Sequence, residues 1–348
     1  MRIPIYGIFG DNYVKQVVLE TGMDLRDVLR KDAIEVDDNA ISSALKIAAE
    51  IAKIREKGAK GKVINILPLS GNDKKPWNQV LKCYNFPTDS TLSEILSNFS
   101  LETGICKLDN VPSFIKPEFY EYVRVPGTTG HEKFKTADKV DGGYVIFAAA
   151  GWVLTRLGTA KVGNNEWVGV QVFTGTKSIL YEILKNNENF NVPGVKPETA
   201  FAIWIAHNII KTTVNVTSLD VYLLSDAKGQ SPTTIKEGFT LDLSKLLMNK
   251  ELINNDVKEL AERALNIDIN NENRDFRDLY IRIINLIYEV LSGAKRIEDL
   301  LYFTNRDLLI IRKSKSNESL KKELERAARY AYYPVSYTHL RAHETGRN

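Results

Sequence analysis

A chain of 348 residues with 43% hydrophobic content carries enough apolar side chain for one large or two ordinary domains, which excludes a disordered or low-complexity protein. Its 47 basic and 44 acidic side chains nearly cancel to a formal charge of +3, so local clusters must carry any attraction to a charged partner. The longest apolar stretch, between Asp141 and Arg156, falls short of the roughly 20 residues a membrane span needs, and Cys83 and Cys106, with no secretory signal upstream, read as buried thiols of a cytoplasmic protein.

Along the chain, RIPIYGIFG predicts a strand, and NAISSALKIAAEIAKIREK, preceded by Asp37 and Asp38 as caps, predicts a helix with Ile41, Leu45, Ala48, Ile51 and Ala52 on its apolar face. VINILPLS reads as a strand and GNDKKPWN as a polar, proline-bearing loop. From Glu118 to Gly143 an aromatic alternating start gives way to Pro-Gly and Gly-Gly steps, predicting a strand and a long exposed loop. An apolar helix (GYVIFAAAGWVLTRLG), the strand EWVGVQVF, the helices ILYEILKN and PETAFAIWIAHNIIK, the strand VNVTSLDVYLLS and a second polar loop, DAKGQSPTT, follow. Strands stop after about Leu241. DFRDLYIRIINLIYEVL then sets Phe276, Leu279, Tyr280, Ile283, Ile284, Ile287, Tyr288 and Leu291 on one helical face, and segments 251–265, 294–312 and 317–332 also read as helices. The expected architecture is α+β: a mixed α/β portion over 1–245, a C-terminal helical bundle over 246–334, and a non-native tail over 335–348 with no apolar period.

The chemistry-bearing motifs mostly fail. In WVGVQVFTGTKS, Gly169 lies within the strand and Thr176 separates Gly175 from Lys177, so the glycine spacing of a nucleotide-binding phosphate loop is not met. What remains is Thr176 as a helix N-cap with Thr174, Lys177 and Ser178 beside it, suited to one phosphate, or simply a capped helix with a surface lysine. Outside the tail only His131 and His207 occur, with no partner spacing for zinc or a metal-dependent nuclease, and His207 in FAIWIAHNII reads as packed or capping. Asp268, Asn270 and Glu272 lack the glycine and terminal glutamate of a calcium loop, and no serine elbow is present. No cofactor is expected.

Basic stretches are left. Lys53, Arg55, Lys57, Lys60 and Lys62 surround two glycines; Lys74 and Lys75 sit beside Trp77; Arg124, His131, Lys133, Lys135 and Lys139 occupy the long loop; Lys228 and Gln230 lie in DAKGQSP; the last helices are rich in Arg and Lys. Each alone suits a solvated face, but several in glycine-bearing loops point to nucleic acid.

The strand–helix layer with EWVGVQVFTGTKSILYEIL and LDVYLLSDAKGQSPTT, followed by DFRDLYIRIINLIYEVLSGAKRIEDLLYFTNRDL, resembles the large subunit of type I-A CRISPR interference (Cascade) complexes over residues 1 to about 334. The resemblance implies a non-catalytic subunit that sits at one end of an RNA-guided complex, helps recognise the protospacer-adjacent motif in target DNA and supports recruitment of a separate helicase-nuclease. Its partners would be the other subunits, guide RNA and target DNA, with guide pairing supplying sequence specificity. On this reading Lys74, Lys75, Lys133, Lys135, Lys177 and Lys228 are phosphate contacts, and Asn72 and Gln230 reach a base edge or groove. The rival readings are a protein-binding scaffold and a nucleotide-binding phosphotransfer enzyme using Lys177 and Ser178.

Overall fold

The structure is a computed structural model that describes residues 1–58, 63, 66–99, 106–117, 139–162, 166–186, 190–226, 229, 231–266, 274–313 and 325. It is α+β, as the sequence predicts: helices and small sheets alternate up to Asp242, and helices follow. Two compact units interleave along the chain. The first takes residues 1–159, 168–190 and 219–240; the second takes 160–167, 191–218 and 241–348.

In the first unit β1 (Arg2–Pro4) pairs antiparallel with β2 (Ala33–Glu35), setting Ile3 opposite Ile34, both buried. Helix α1 (Gly10–Glu20) follows, then the short α2 (Leu25–Val28) and α3 (Asp38–Glu56), which Asp37 caps by accepting the Ala40 N–H at 2.9 Å. Helix α4 (Lys74–Cys83), α5 (Leu92–Asn98) with a Thr91–Glu94 capping box, and the two-residue pair β3 (Lys107–Leu108) and β4 (Val140–Asp141) complete its first half. The central α6 (Gly142–Thr155) is buried along its whole length, the outcome its all-apolar sequence requires. Against it packs α1, and Gly151 makes the approach possible: a Cβ there would stand 2.0 Å from the Tyr13 carbonyl oxygen.

A four-stranded sheet has the order β5 (Arg156–Val162), β6 (Glu166–Thr174), β7 (Ser218–Ser225), β8 (Thr234–Asp242), with β6 and β7 antiparallel and Gln171 opposite Tyr222. The sequence names no strand over 234–242; its alternation is broken by Gly238, and as an edge strand it is only half covered. Helix α7 (Leu180–Asn186) returns to pack on α3 and α6.

In the second unit α8 (Glu198–Ile210) packs against α10 (Asn255–Asn266) and α11 (Arg274–Leu291), and α12 (Ile297–Lys313) lies on α11; the short α9 (Ser244–Met248) precedes them. Leu279, Tyr280, Ile283, Ile284, Ile287 and Leu291 of α11 are buried, on the face that their spacing predicts. His207 is packed, 4% exposed, with Nε2 3.0 Å from Asn255 Oδ1, and burial lowers its pKa.

Four expectations are corrected. Cys83 and Cys106 are not free thiols but a disulfide, with Cα atoms 5.7 Å apart: the end of α4 and the start of β3 bring together residues whose spacing of 23 carries no geometric signal. Opening it by Cys83→Ser should reduce unfolding free energy by about 3 kcal/mol, measured by denaturant titration of both proteins without reductant. VINILPLS is not a strand in its described part, where Val63 makes a single bridge to Lys57 and residues 66–70 are irregular around Pro68, which has no N–H to give a ladder. GNDKKPWN is not all loop, since Lys74, Lys75 and Pro76 form the first turn of α4, where a missing proline N–H costs nothing. Of the helix predicted over 317–332 only Glu325 is described, and it is helical; of the loop predicted over 118–143 the described end is, from Val140 on, not loop but β4 and the start of α6; the 335–348 tail lies outside the described residues.

Candidate functional site

Asp73, immediately before α4, is 5% exposed, and its carboxylate accepts three hydrogen bonds. Ser113 N–H donates to Oδ1 at 2.7 Å; Ser70 N–H and the Ser113 hydroxyl each donate to Oδ2 at 2.8 Å. The Ser113 oxygen in turn accepts the Thr233 N–H at 3.0 Å. One carboxylate thereby ties together three stretches that lie 40 and 120 residues apart along the chain. A fifth hydrogen bond closes the arrangement: Gly71 N–H donates to Gly229 O at 2.6 Å, with Gly229 at φ +59°, a left-handed conformation that favours glycine. A Cβ on Gly71 would come within 3.3 Å of that same carbonyl oxygen.

This clamp decides where the predicted contacts fall. Asn72, Lys74 and Lys75 are exposed and make no ion pair among the described residues. They stand on the Ser70–Asp73 turn and the first turn of α4, against the turn at Gly229. Lys228 and Gln230 lie outside the described residues; of their stretch it is Gly229 that meets the Ser70–Asp73 turn. Lys133 and Lys135 also lie outside the described residues.

The second stretch is fixed at its other end as well. Asp226 forms a two-bond ion pair with Arg156, Nη1 to Oδ1 at 2.9 Å and Nη2 to Oδ2 at 2.5 Å, with Arg156 only 6% exposed. The guanidinium lies 5.3 Å from the Trp152 ring centroid, and its room comes from Gly169, where a Cβ would overlap Nη1. Arg55 donates to Leu157 O at 3.1 Å; burial, reinforced by the Arg156 charge, lowers its pKa to about 9.

Lys177 is placed elsewhere. It is exposed beside Gly22, at the C-terminal end of α1, whereas Gly10 at the other end donates to Ile115 O next to the clamp. Eleven helical residues, on the order of 15 Å, separate the two positions. The phosphate expected beside Lys177 meets a position already filled from within: Ser178 N–H donates to Glu20 Oε2 at 2.8 Å. Burial raises the Glu20 pKa, with the Ser178 N–H and Lys177 opposing the rise. The residue closing this turn is Ser178 rather than Thr176, its hydroxyl accepting the Leu180 N–H at 3.2 Å and donating to Leu154 O at 2.6 Å. The helix that follows has only seven residues and an internal carboxylate at its head.

A cavity of about 640 Å³ between α3 and α5 is lined by Lys46, Lys53 and Lys57, but Glu50, Glu56 and Glu94 answer them, so it offers no net charge to a polyanion. Among the described residues no group of three or more His, Cys, Asp or Glu could hold a metal, and no helix is long and apolar enough to cross a membrane. Asp73, Ser113 and Thr233 are the residues that sequence reasoning missed, because a contact across 120 positions leaves no local pattern.

No curated protein matches the sequence. A family model described as CRISPR-associated protein, CsaX, matches residues 34–308 of the 348, a span that takes in the whole clamp and the Arg156–Asp226 pair. The chain belongs to the CsaX family of CRISPR-associated proteins, and its role lies in a CRISPR system.

Proposed function

We propose that the protein is the non-catalytic large subunit of a type I-A CRISPR interference complex and that its Asp73 clamp presents Asn72, Lys74 and Lys75, with the stretch around Gly229, to target DNA beside the protospacer-adjacent motif. The observation that carries this reading is the meeting of two basic-bearing stretches at the Gly71–Gly229 hydrogen bond. Exposed lysines free of intramolecular ion pairs exchange condensed counterions for phosphates at little desolvation cost. A small amide held next to them can approach a groove edge. Guide RNA would supply sequence specificity by pairing, leaving this chain to read a short flanking motif and to support recruitment of a helicase-nuclease by the neighbouring subunits.

Lys74→Ala with Lys75→Ala tests the reading. In the assembled complex, the slope of log affinity for duplex target against log salt should fall by about 2, since each lost phosphate contact removes roughly 0.9. An unchanged slope would reject the clamp as the DNA contact. Because both lysines are exposed, thermal stability should stay at the wild-type value, which separates a contact from a fold defect.

A further inference from the structure

Helix α4 is fastened to one neighbouring stretch at both of its ends. Just before its first turn the Asp73 carboxylate takes the Ser113 N–H and hydroxyl, and at its last residue Cys83 is bonded to Cys106. Ten helical residues, on the order of 15 Å, lie between the two fastenings, and residues 106–113 span the same gap in the opposite direction. That stretch is anchored without the disulfide. Gly142 N–H donates to Cys106 O at 2.7 Å, Lys107 and Leu108 pair with β4, and Ile115 O accepts the Gly10 N–H at 2.8 Å, with Phe114 and Ile115 fully buried. The helix has fewer ties: Pro76, Trp77, Val80 and Leu81 are buried, while Lys82 and Asn85, on either side of Cys83, are exposed. Of the two partners, α4 is the one that can yield.

The disulfide also has a side of approach. Cys106 is 2% exposed and lies against Gly142, where a Cβ would stand 3.1 Å from Cys106 Sγ and 3.2 Å from the Tyr84 ring. Cys83 is only half-buried, so a thiolate from solution reaches the bond from the Cys83 side.

We propose that Cys83 and Cys106 form a thiol–disulfide switch that sets how firmly α4 is held and, through α4, how Lys74 and Lys75 are displayed. The consequence for DNA rests on the clamp reading above; the switch itself does not. The reductant is a dithiol. Its thiolate attacks Cys83 Sγ, the bond to Cys106 breaks, and Cys106 leaves as a thiolate that takes up a proton. The second thiol then displaces Cys83, which is protonated in turn, and the reagent departs as a cyclic disulfide, having given up the two electrons that the cysteine pair gains. With the bond open, α4 keeps its fastening at Asp73 and loses the one at its tail.

Hydrogen–deuterium exchange of the full-length chain, oxidised and after dithiothreitol, is the test. Iodoacetamide should label Cys83 and Cys106 in the reduced sample only. Amide exchange over α4 should quicken on the order of a hundredfold, the change in opening that a closed loop of this size implies, with far less change in α6. Reoxidation with oxidised glutathione should restore the starting rates. Cys83→Ser with Cys106→Ser should exchange as the reduced chain does and ignore dithiothreitol. Cysteines left unlabelled after dithiothreitol, an α4 whose exchange does not change, or a quickening of equal size in α4 and α6 overturns the inference, since the bond is then inert or a staple of the whole unit. In the assembled complex dithiothreitol should lower affinity for duplex target, and the doubly substituted complex should show no such response. An α4 that quickens beside a salt slope that Lys74→Ala with Lys75→Ala leaves unchanged would keep the switch and reject the clamp reading; an unchanged α4 beside a lowered slope would do the reverse.

Discussion

Asp73→Ala should reduce unfolding free energy by about 3–5 kcal/mol, because three hydrogen bonds to one buried carboxylate disappear and their donors are left without acceptors. The Ser70 N–H, the Ser113 N–H and the Ser113 hydroxyl all lose their partner at once. Asp73→Asn separates charge from geometry. An amide oxygen in the Oδ2 place can still accept the Ser70 N–H and the Ser113 hydroxyl, but its NH₂ then faces the Ser113 N–H, so this variant too should lose about 2 kcal/mol or more. Asp73→Ala frees the Ser70–Asp73 turn from Ser113 and, through it, from Thr233, and Asp73→Asn loosens the same link. Duplex affinity should therefore fall with stability, whereas the Lys74 and Lys75 substitutions should lower affinity alone. Denaturant titration beside the salt-dependent binding assay checks the pair of outcomes. Wild-type stability in Asp73→Ala would mean that the clamp does not hold these stretches together.

The contrast between the lysines and their clamp also shows what a sequence discloses. Helices α6, α8 and α11 and strands β6 and β7 were legible because their patterns are local: apolar throughout, or apolar on one face, over a dozen residues. The lysines at 74 and 75 were legible as cations but not as helix, because Asn72, Asp73 and Pro76 signal a turn equally well. Thr176 was a reasonable cap on the same local grounds, yet Ser178 closes that turn because Glu20 and Leu154, distant in sequence, engage it. Nothing local marks Asp73 as a carboxylate with three donors, nor Cys83 as the partner of Cys106. Both depend on where α4 lands against segments that begin 23 or more residues later. The site was thus readable as a set of charges and not as a constellation, because side chains that touch solvent are chosen singly and those that brace them are chosen by the fold.

The second large effect is expected at the other end of the same stretch. Asp226→Asn removes the only carboxylate paired with Arg156 among the described residues, leaving a guanidinium that is 6% exposed and near Arg55, whose pKa is lowered by burial and then by the Arg156 charge. Breaking a buried pair on one side costs about 3–5 kcal/mol, since the surviving charge keeps its desolvation penalty without its counterion. Arg156→Met should cost less: Asp226 is 28% exposed and regains water, and the methionine stem can lie on Trp152 in place of the guanidinium. The double variant Arg156→Met with Asp226→Asn should then be more stable than Asp226→Asn alone, an inversion that only a coupled pair produces. Urea titration of the three variants measures it. Because Gly229 lies between this pair and the Thr233 bond along the chain, Asp226→Asn should also weaken duplex binding, and the double variant should restore stability without restoring affinity. Affinity that recovers with stability would show that the ion pair serves the core alone and does not position the Gly229 turn for DNA.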